Sequence, residues 1–178
     1  MKKGLIAVLL LFLSIVVIVK GMNFQTVEEY YGEHPDDIAN AAETVSLSIR
    51  CDTILSNYDL LDKELRNEKY VPKDGIILAE TRFVLRANET VFDLLEKAVR
   101  LNRIQMEIEG DKKNRFTPVY VKGMNHLYEY SCGSLSGWLF RVNGVFADTS
   151  CSDIKLKNGD IVEWIYSCDL GNDLDAKF

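Results

Sequence analysis

Asn88-Glu89-Thr90-Val91-Phe92-Asp93-Leu94-Leu95-Glu96-Lys97-Ala98-Val99-Arg100-Leu101-Asn102 is the clearest helix in the sequence. Val91, Leu94, Leu95, Ala98, Val99 and Leu101 recur at a helical spacing and make one apolar face. Asn88 or Thr90 can cap its start, and Asp93–Lys97 and Glu96–Arg100 are i,i+4 pairs expected on the outer face. Asn88-Glu89-Thr90 also reads as a glycosylation sequon, which matters only in a eukaryotic secretory pathway; the cap is the preferred reading.

Strands, joined by loops and turns, are read on both sides of this helix. Upstream, Val45-Ser46-Leu47-Ser48-Ile49-Arg50-Cys51 alternates apolar and polar residues, the pattern of a half-buried strand. A polar loop runs from Asp59 to about Lys73, broken by Pro72 and Asp74-Gly75, and Ile76 to Leu85 is a second strand. Downstream come Gln105–Ile108, Val119–Val121 and Leu127–Tyr130. Trp138–Val142 and Val145–Ala147 flank Asn143-Gly144, a strong hairpin signal. Lys157-Asn158-Gly159-Asp160 turns the chain into the last strand, Ile161–Tyr166. Two strands, one helix and then several strands imply an α+β fold with one helix packed on a mixed sheet. A β-grasp-like arrangement fits best, with the first and last strands parallel neighbours in the middle.

The N-terminus points to export. Met1-Lys2-Lys3 is basic, Gly4 to Val19 is apolar apart from Ser14, and Lys20 closes the run. The run of about 16 residues spans ~24 Å as a helix, short of a ~30 Å hydrocarbon core, so a retained anchor would need Lys20 to snorkel. Gly21 offers a small residue for cleavage without an A-x-A site, and signal peptide and membrane anchor stay open. Lys2 and Lys3 orient the rest of the chain outward, secreted or anchored to the membrane. Residues 1–21 are thus the targeting segment, 22–44 an acidic spacer, 45–171 the domain and 172–178 a polar tail.

Charge and cysteines narrow the function. A formal net charge of −6 argues against nucleic acid as a partner. Cys51, Cys132, Cys151 and Cys168 are an even set on the exported side, which favours disulfides over zinc because no C-x-x-C pair exists. Four cysteines allow three pairings. The expected scheme is Cys132–Cys151, stapling the base of the Trp138 hairpin, with Cys51–Cys168 joining two matching strand ends. Gly133-Ser134-Leu135-Ser136-Gly137 has Leu135 where a nucleophile elbow needs serine, and no carboxylate pair or histidine constellation stands out, so no enzyme is expected. Trp138 and Phe140 alternate onto one face. They read either as core or as an aromatic platform for a flat ligand.

The motifs Tyr120-Val121-Lys122-Gly123-Met124-Asn125, Tyr128-Glu129-Tyr130-Ser131-Cys132-Gly133, Ser136-Gly137-Trp138, Val142-Asn143-Gly144 and Leu156-Lys157-Asn158-Gly159-Asp160-Ile161-Val162-Glu163-Trp164 occur in that order. Together they resemble the transcobalamin C-terminal-like domain, found in many surface proteins of Gram-positive bacteria, over about residues 45–171. The resemblance implies a β-grasp-type fold related to the cobalamin-facing domain of transcobalamin and intrinsic factor. Those carriers hold the corrin between this domain and a helical-barrel half. The expectation is therefore a non-enzymatic extracytoplasmic module that binds cobalamin or another corrinoid, with a second protein component or a homodimer completing the site. Trp138, Tyr130, Ser136 and Asn143 are the expected ligand-binding residues. The alternative is a cell-surface structural or protein-interaction module without a small-molecule ligand.

Overall fold

A computed structural model describes residues 43–111 and 117–177. The expected targeting segment 1–21 and nearly all of the acidic spacer 22–44 lie outside the described residues. Among the described residues no helix is long and apolar enough to cross a membrane.

The fold is mixed α+β and mostly strand, in two sheets. The strands are β1 (Thr44–Arg50), β2 (Ile76–Val84), β3 (Met106–Glu109), β4 (Tyr120–Met124), β5 (Leu127–Tyr128), β6 (Gly137–Val142), β7 (Val145–Phe146) and β8 (Ile161–Ser167). Helices are α1 (Thr53–Ser56), a single turn after β1, and α2 (Val91–Leu101). The larger sheet runs β2-β1-β8-β6-β7, and β3-β4-β5 form the smaller one. A single sheet was the expectation; the chain between α2 and β6 instead folds back on itself in short antiparallel strands.

β1 and β8 are parallel neighbours in the larger sheet, with Leu47 opposite Val162 and Ile49 opposite Trp164. Alternation sends Leu47, Ile49, Val162, Trp164 and Tyr166 into one core with Leu94, Leu95 and Ala98 of α2. The opposite face carries charge. Glu163 takes both Nε and Nη2 of Arg141 at 2.5 and 2.8 Å, directly across from it in β6, and Arg50 approaches to 3.7 Å. At the β6–β7 turn Asn143 (φ 53°) and Gly144 (φ 80°) both adopt the left-handed region, as a two-residue hairpin of this hand requires.

Thr90 caps α2. Its hydroxyl accepts from Asp93 N, while the Asp93 carboxylate accepts from Thr90 N, closing a capping box. The helix presents more than the expected apolar stripe. Lys97 is buried, not on the outer face, and its ammonium lies 2.5 Å from the Glu89 carboxylate, also buried. Lys97 also donates to the Val84 carbonyl at 3.0 Å, and Glu89 accepts from Arg86 N at 2.9 Å. The pair therefore ties the start of α2 to the end of β2.

Candidate functional site

Because β1 and β8 run parallel, both end at the same edge of the sheet; antiparallel β6 begins there. Three segments gather at that edge: 53–62 after β1, 129–136 before β6 and 168–175 after β8. Backbone bonds lock them together. Asp62 N donates to Ser131 O, Tyr130 N to Ser136 O and Leu170 N to Leu135 O, each at 2.9 Å. Asp173 fastens the last segment, accepting from Ser167 Oγ at 2.6 Å and from Cys168 N at 2.7 Å.

Two of these residues stand out. Tyr130 (φ 68°) and Leu170 (φ 48°) are bulky residues in the left-handed region, and their side chains are 64% and 62% exposed. Such a backbone costs roughly 1–2 kcal/mol for a residue with a Cβ, and water-facing apolar groups return none of it. Both are held by the adjacent carbonyls of Leu135 and Ser136. Leu135, Leu60 and Tyr58 are further exposed apolar side chains on the same three segments. A rigid end of the sheet thus carries an apolar rim.

The four expected ligand-binding residues divide. Tyr130 is on this rim. Ser136 is buried under it: its hydroxyl donates to Gly133 O at 2.8 Å, accepts from Cys132 N at 3.0 Å and lies 2.9 Å from the Tyr166 hydroxyl. Trp138 is core rather than platform. It is 5% exposed, its indole N–H donates to Leu127 O at 2.8 Å, and its ring meets Tyr166 edge-on at 5.3 Å. Asn143 is exposed at the far end of β6, where its side chain donates to Asp160 Oδ1 and accepts from Ile161 N, both at 2.9 Å. The four do not form one surface. Leu170, Leu135 and Leu60 were missed, and their only signal was an apolar residue stranded in a polar loop.

All four cysteines are buried thiols, so neither expected bridge, Cys132–Cys151 nor Cys51–Cys168, is formed in this structure. Cys132 and Cys168 lie under the rim, Cys132 Sγ 3.5 Å from Asn57 O and Cys168 Sγ 3.7 Å from Thr53 Oγ1. Their interaction, with burial adding to it, pushes the Cys132 thiol up, and the same interaction pulls Cys168 down from the usual thiol range. Burial, with Asp52, Asp74 and Cys168 adding to it, pushes the Cys51 thiol up to about 12. Cys151 sits 4.0 Å from the Val119 carbonyl, and burial also pushes it up to about 12. Among the described residues no three His, Cys, Asp or Glu side chains are grouped to hold a metal.

The raised thiols make the fold sensitive to alkali. Cys51 and Cys151 ionise near 9.0 when unfolded and only near 12 when folded, so their contribution is complete below pH 9 and lost as pH rises toward 12. By the top of that window each thiol accounts for a loss on the order of 2–4 kcal/mol. A thermal-unfolding series from pH 7 to 12 should show Tm falling above pH 9, and Cys51→Ala or Cys151→Ala should flatten the fall. An unchanged slope in both variants would assign the loss elsewhere.

Residues 88–167 match the model of a family described as a domain of unknown function (DUF4430). The match runs from the turn before α2 to the last residue of β8. It includes segment 129–136 and stops one residue short of Cys168. No curated protein matches the chain.

Proposed function

We propose that this chain is an extracytoplasmic, non-enzymatic binding module whose apolar rim receives one face of a bulky, flat ligand, with cobalamin or a related corrinoid as the favoured class. The observation that carries the reading is the pair Tyr130 and Leu170, exposed on strained backbone that hydrogen bonds keep in place. Strain of this kind persists where the surrounding structure over-determines it, and it gathers at ligand clamps. A corrin offers broad apolar faces fringed by amides; exposed aromatic and aliphatic side chains and the polar groups between them suit it. The matched segment 88–167 falls within the stretch 45–171 whose motifs resemble the transcobalamin C-terminal-like domain. Parallel β1 and β8 beside a hairpin, with α2 packed on the same core, agree with the β-grasp arrangement of that family. Residues 1–21 supply the export signal or anchor in this reading.

A rim covers only one side of a planar ligand. Half-burial sets affinity near micromolar or weaker for the chain alone, and a second component or a second copy closes the other side. Titration of the full-length chain with cyanocobalamin and cobinamide, followed by absorbance and calorimetry, tests this directly. Tyr130→Gly and Leu170→Gly should each weaken binding by about tenfold or more. Both should leave the unfolding midpoint unchanged or higher, because glycine relieves the left-handed strain. If wild-type protein gives no signal at high micromolar corrinoid, the rim belongs to a protein partner, and the interaction-module reading replaces this one.

A further inference from the structure

We infer that Cys132 and Cys168 are the disulfide-forming pair of this protein, joining segment 129–136 to the end of β8, while Cys51 and Cys151 stay as thiols. Both sulfurs pack against α1. Cys132 Sγ lies 3.5 Å from Asn57 O, and Cys168 Sγ lies 3.7 Å from Thr53 Oγ1. Asn57 and Thr53 are one helical turn apart, linked by the Asn57 amide donating to Thr53 O at 2.9 Å. Thr53 in turn donates its hydroxyl to Tyr166 O, fixing α1 to β8. The two thiols are thereby brought to the same turn of α1. A disulfide would replace both of these contacts with a bond of ~2.05 Å.

The other pairings are worse placed. Cys151 faces the Val119 carbonyl beside the start of α2. Cys51 continues β1 opposite Tyr166, two residues short of Cys168 along the neighbouring strand, and its backbone N–H is tied to Gly75 O at 2.7 Å.

The reaction is thiol–disulfide exchange with a small-molecule or protein disulfide as oxidant. Cys168 is the entry point, since it is 7% exposed where Cys132 is fully buried, and it is the partner favoured as thiolate. Its sulfur attacks one sulfur of the oxidant, forms a mixed disulfide and expels one thiolate. Cys132 then passes its proton to that thiolate, and its sulfur displaces the second half of the oxidant as a second thiolate, which takes up the proton Cys168 released on ionising. Two protein thiols and one disulfide become one protein disulfide and two small thiols. The inference does not depend on what the rim binds, because the bond would fasten the same two segments with any ligand or none.

The test equilibrates the full-length chain with reduced and oxidised glutathione, alkylates it and maps its peptides without reduction. A cross-linked pair carrying Cys132 and Cys168 is expected, with Cys51 and Cys151 alkylated only after denaturation. A Cys132–Cys151 or Cys51–Cys168 peptide, or four alkylatable thiols in the oxidised sample, would overturn it. Thermal unfolding gives an independent readout. Reductant should lower the wild-type Tm by roughly 10 °C and leave the Tm of Cys132→Ala and Cys168→Ala unmoved. A reductant-sensitive Cys132→Ala would place the bond elsewhere even if that variant is less stable from the outset.

Discussion

Lys97→Ala is expected to cost about 3–5 kcal/mol of folding stability, the largest loss from any single charged side chain described above. The substitution removes the ammonium 2.5 Å from Glu89 and leaves that carboxylate inside the protein with the Arg86 N–H as its remaining partner among the bonds described. The Val84 carbonyl loses its donor at the same time. Coulomb attraction does not make such a pair strongly stabilising overall, because both ions gave up water to form it. The cost falls on the survivor. Replacing both partners should therefore be milder than replacing one, and Glu89→Gln with Lys97→Met should recover at least half of the loss, since glutamine still accepts from Arg86. Urea unfolding measures this as a drop in midpoint with unchanged slope. A loss below about 1 kcal/mol for Lys97→Ala would mean that water reaches the pair.

Trp138→Ala should lose a similar 3–5 kcal/mol, for a different reason. The indole fills the space between the two sheets, edge-on to Tyr166 of β8, and its N–H reaches across to Leu127 of β5. Truncation opens a cavity and cuts that tie together. Trp138→Phe separates the two effects: most of the apolar volume stays, the Leu127 carbonyl loses its donor, and the cost should fall to about 1–3 kcal/mol. Because Trp138 lies under the surface, Trp138→Phe should retain whatever ligand affinity the rim has. If it loses affinity in step with Tyr130→Gly, the ring takes part in the site after all.

Strands and helix were legible because burial repeats along them. Alternation located β1, β2, β6 and β8 to within about two residues, and the apolar face of α2 named its buried side correctly. Alternation also put Trp138 and Phe140 on one face, but a period says only that residues share a face, not whether that face meets water. Trp138 is buried and Phe140 half-buried against Trp164 at 4.9 Å, so the face packs on the core. Lys97 escaped notice because a lysine four residues after an aspartate matches a surface pair, and the burying partner, Glu89, lies before the helix begins. The split into two sheets was hidden for another reason. β5 is only two residues long, too short for a period to register. Tyr130, Leu135 and Leu170 are loop residues. Their exposure depends on backbone hydrogen bonds between segments far apart in sequence, which no local pattern records.

The parallel pairing of β1 with β8 sets the order in which the protein can be completed. Thr44 N donates to Asn158 Oδ1 at 2.8 Å across 114 residues of chain, and Gly159 N returns a bond to Thr44 O at 2.7 Å. A chain emerging N-terminus first can form the β1–β2 hairpin early and seat α2 against it. The central edge of β1 then stays open until the last strand arrives. For that interval a row of unpaired peptide groups, flanked by Leu47 and Ile49, is presented to any neighbouring chain. Folding is therefore gated by release of the C-terminal strand. Until then the polypeptide is at its most aggregation-prone, and a truncation before Ile161 is expected to hold it in that state.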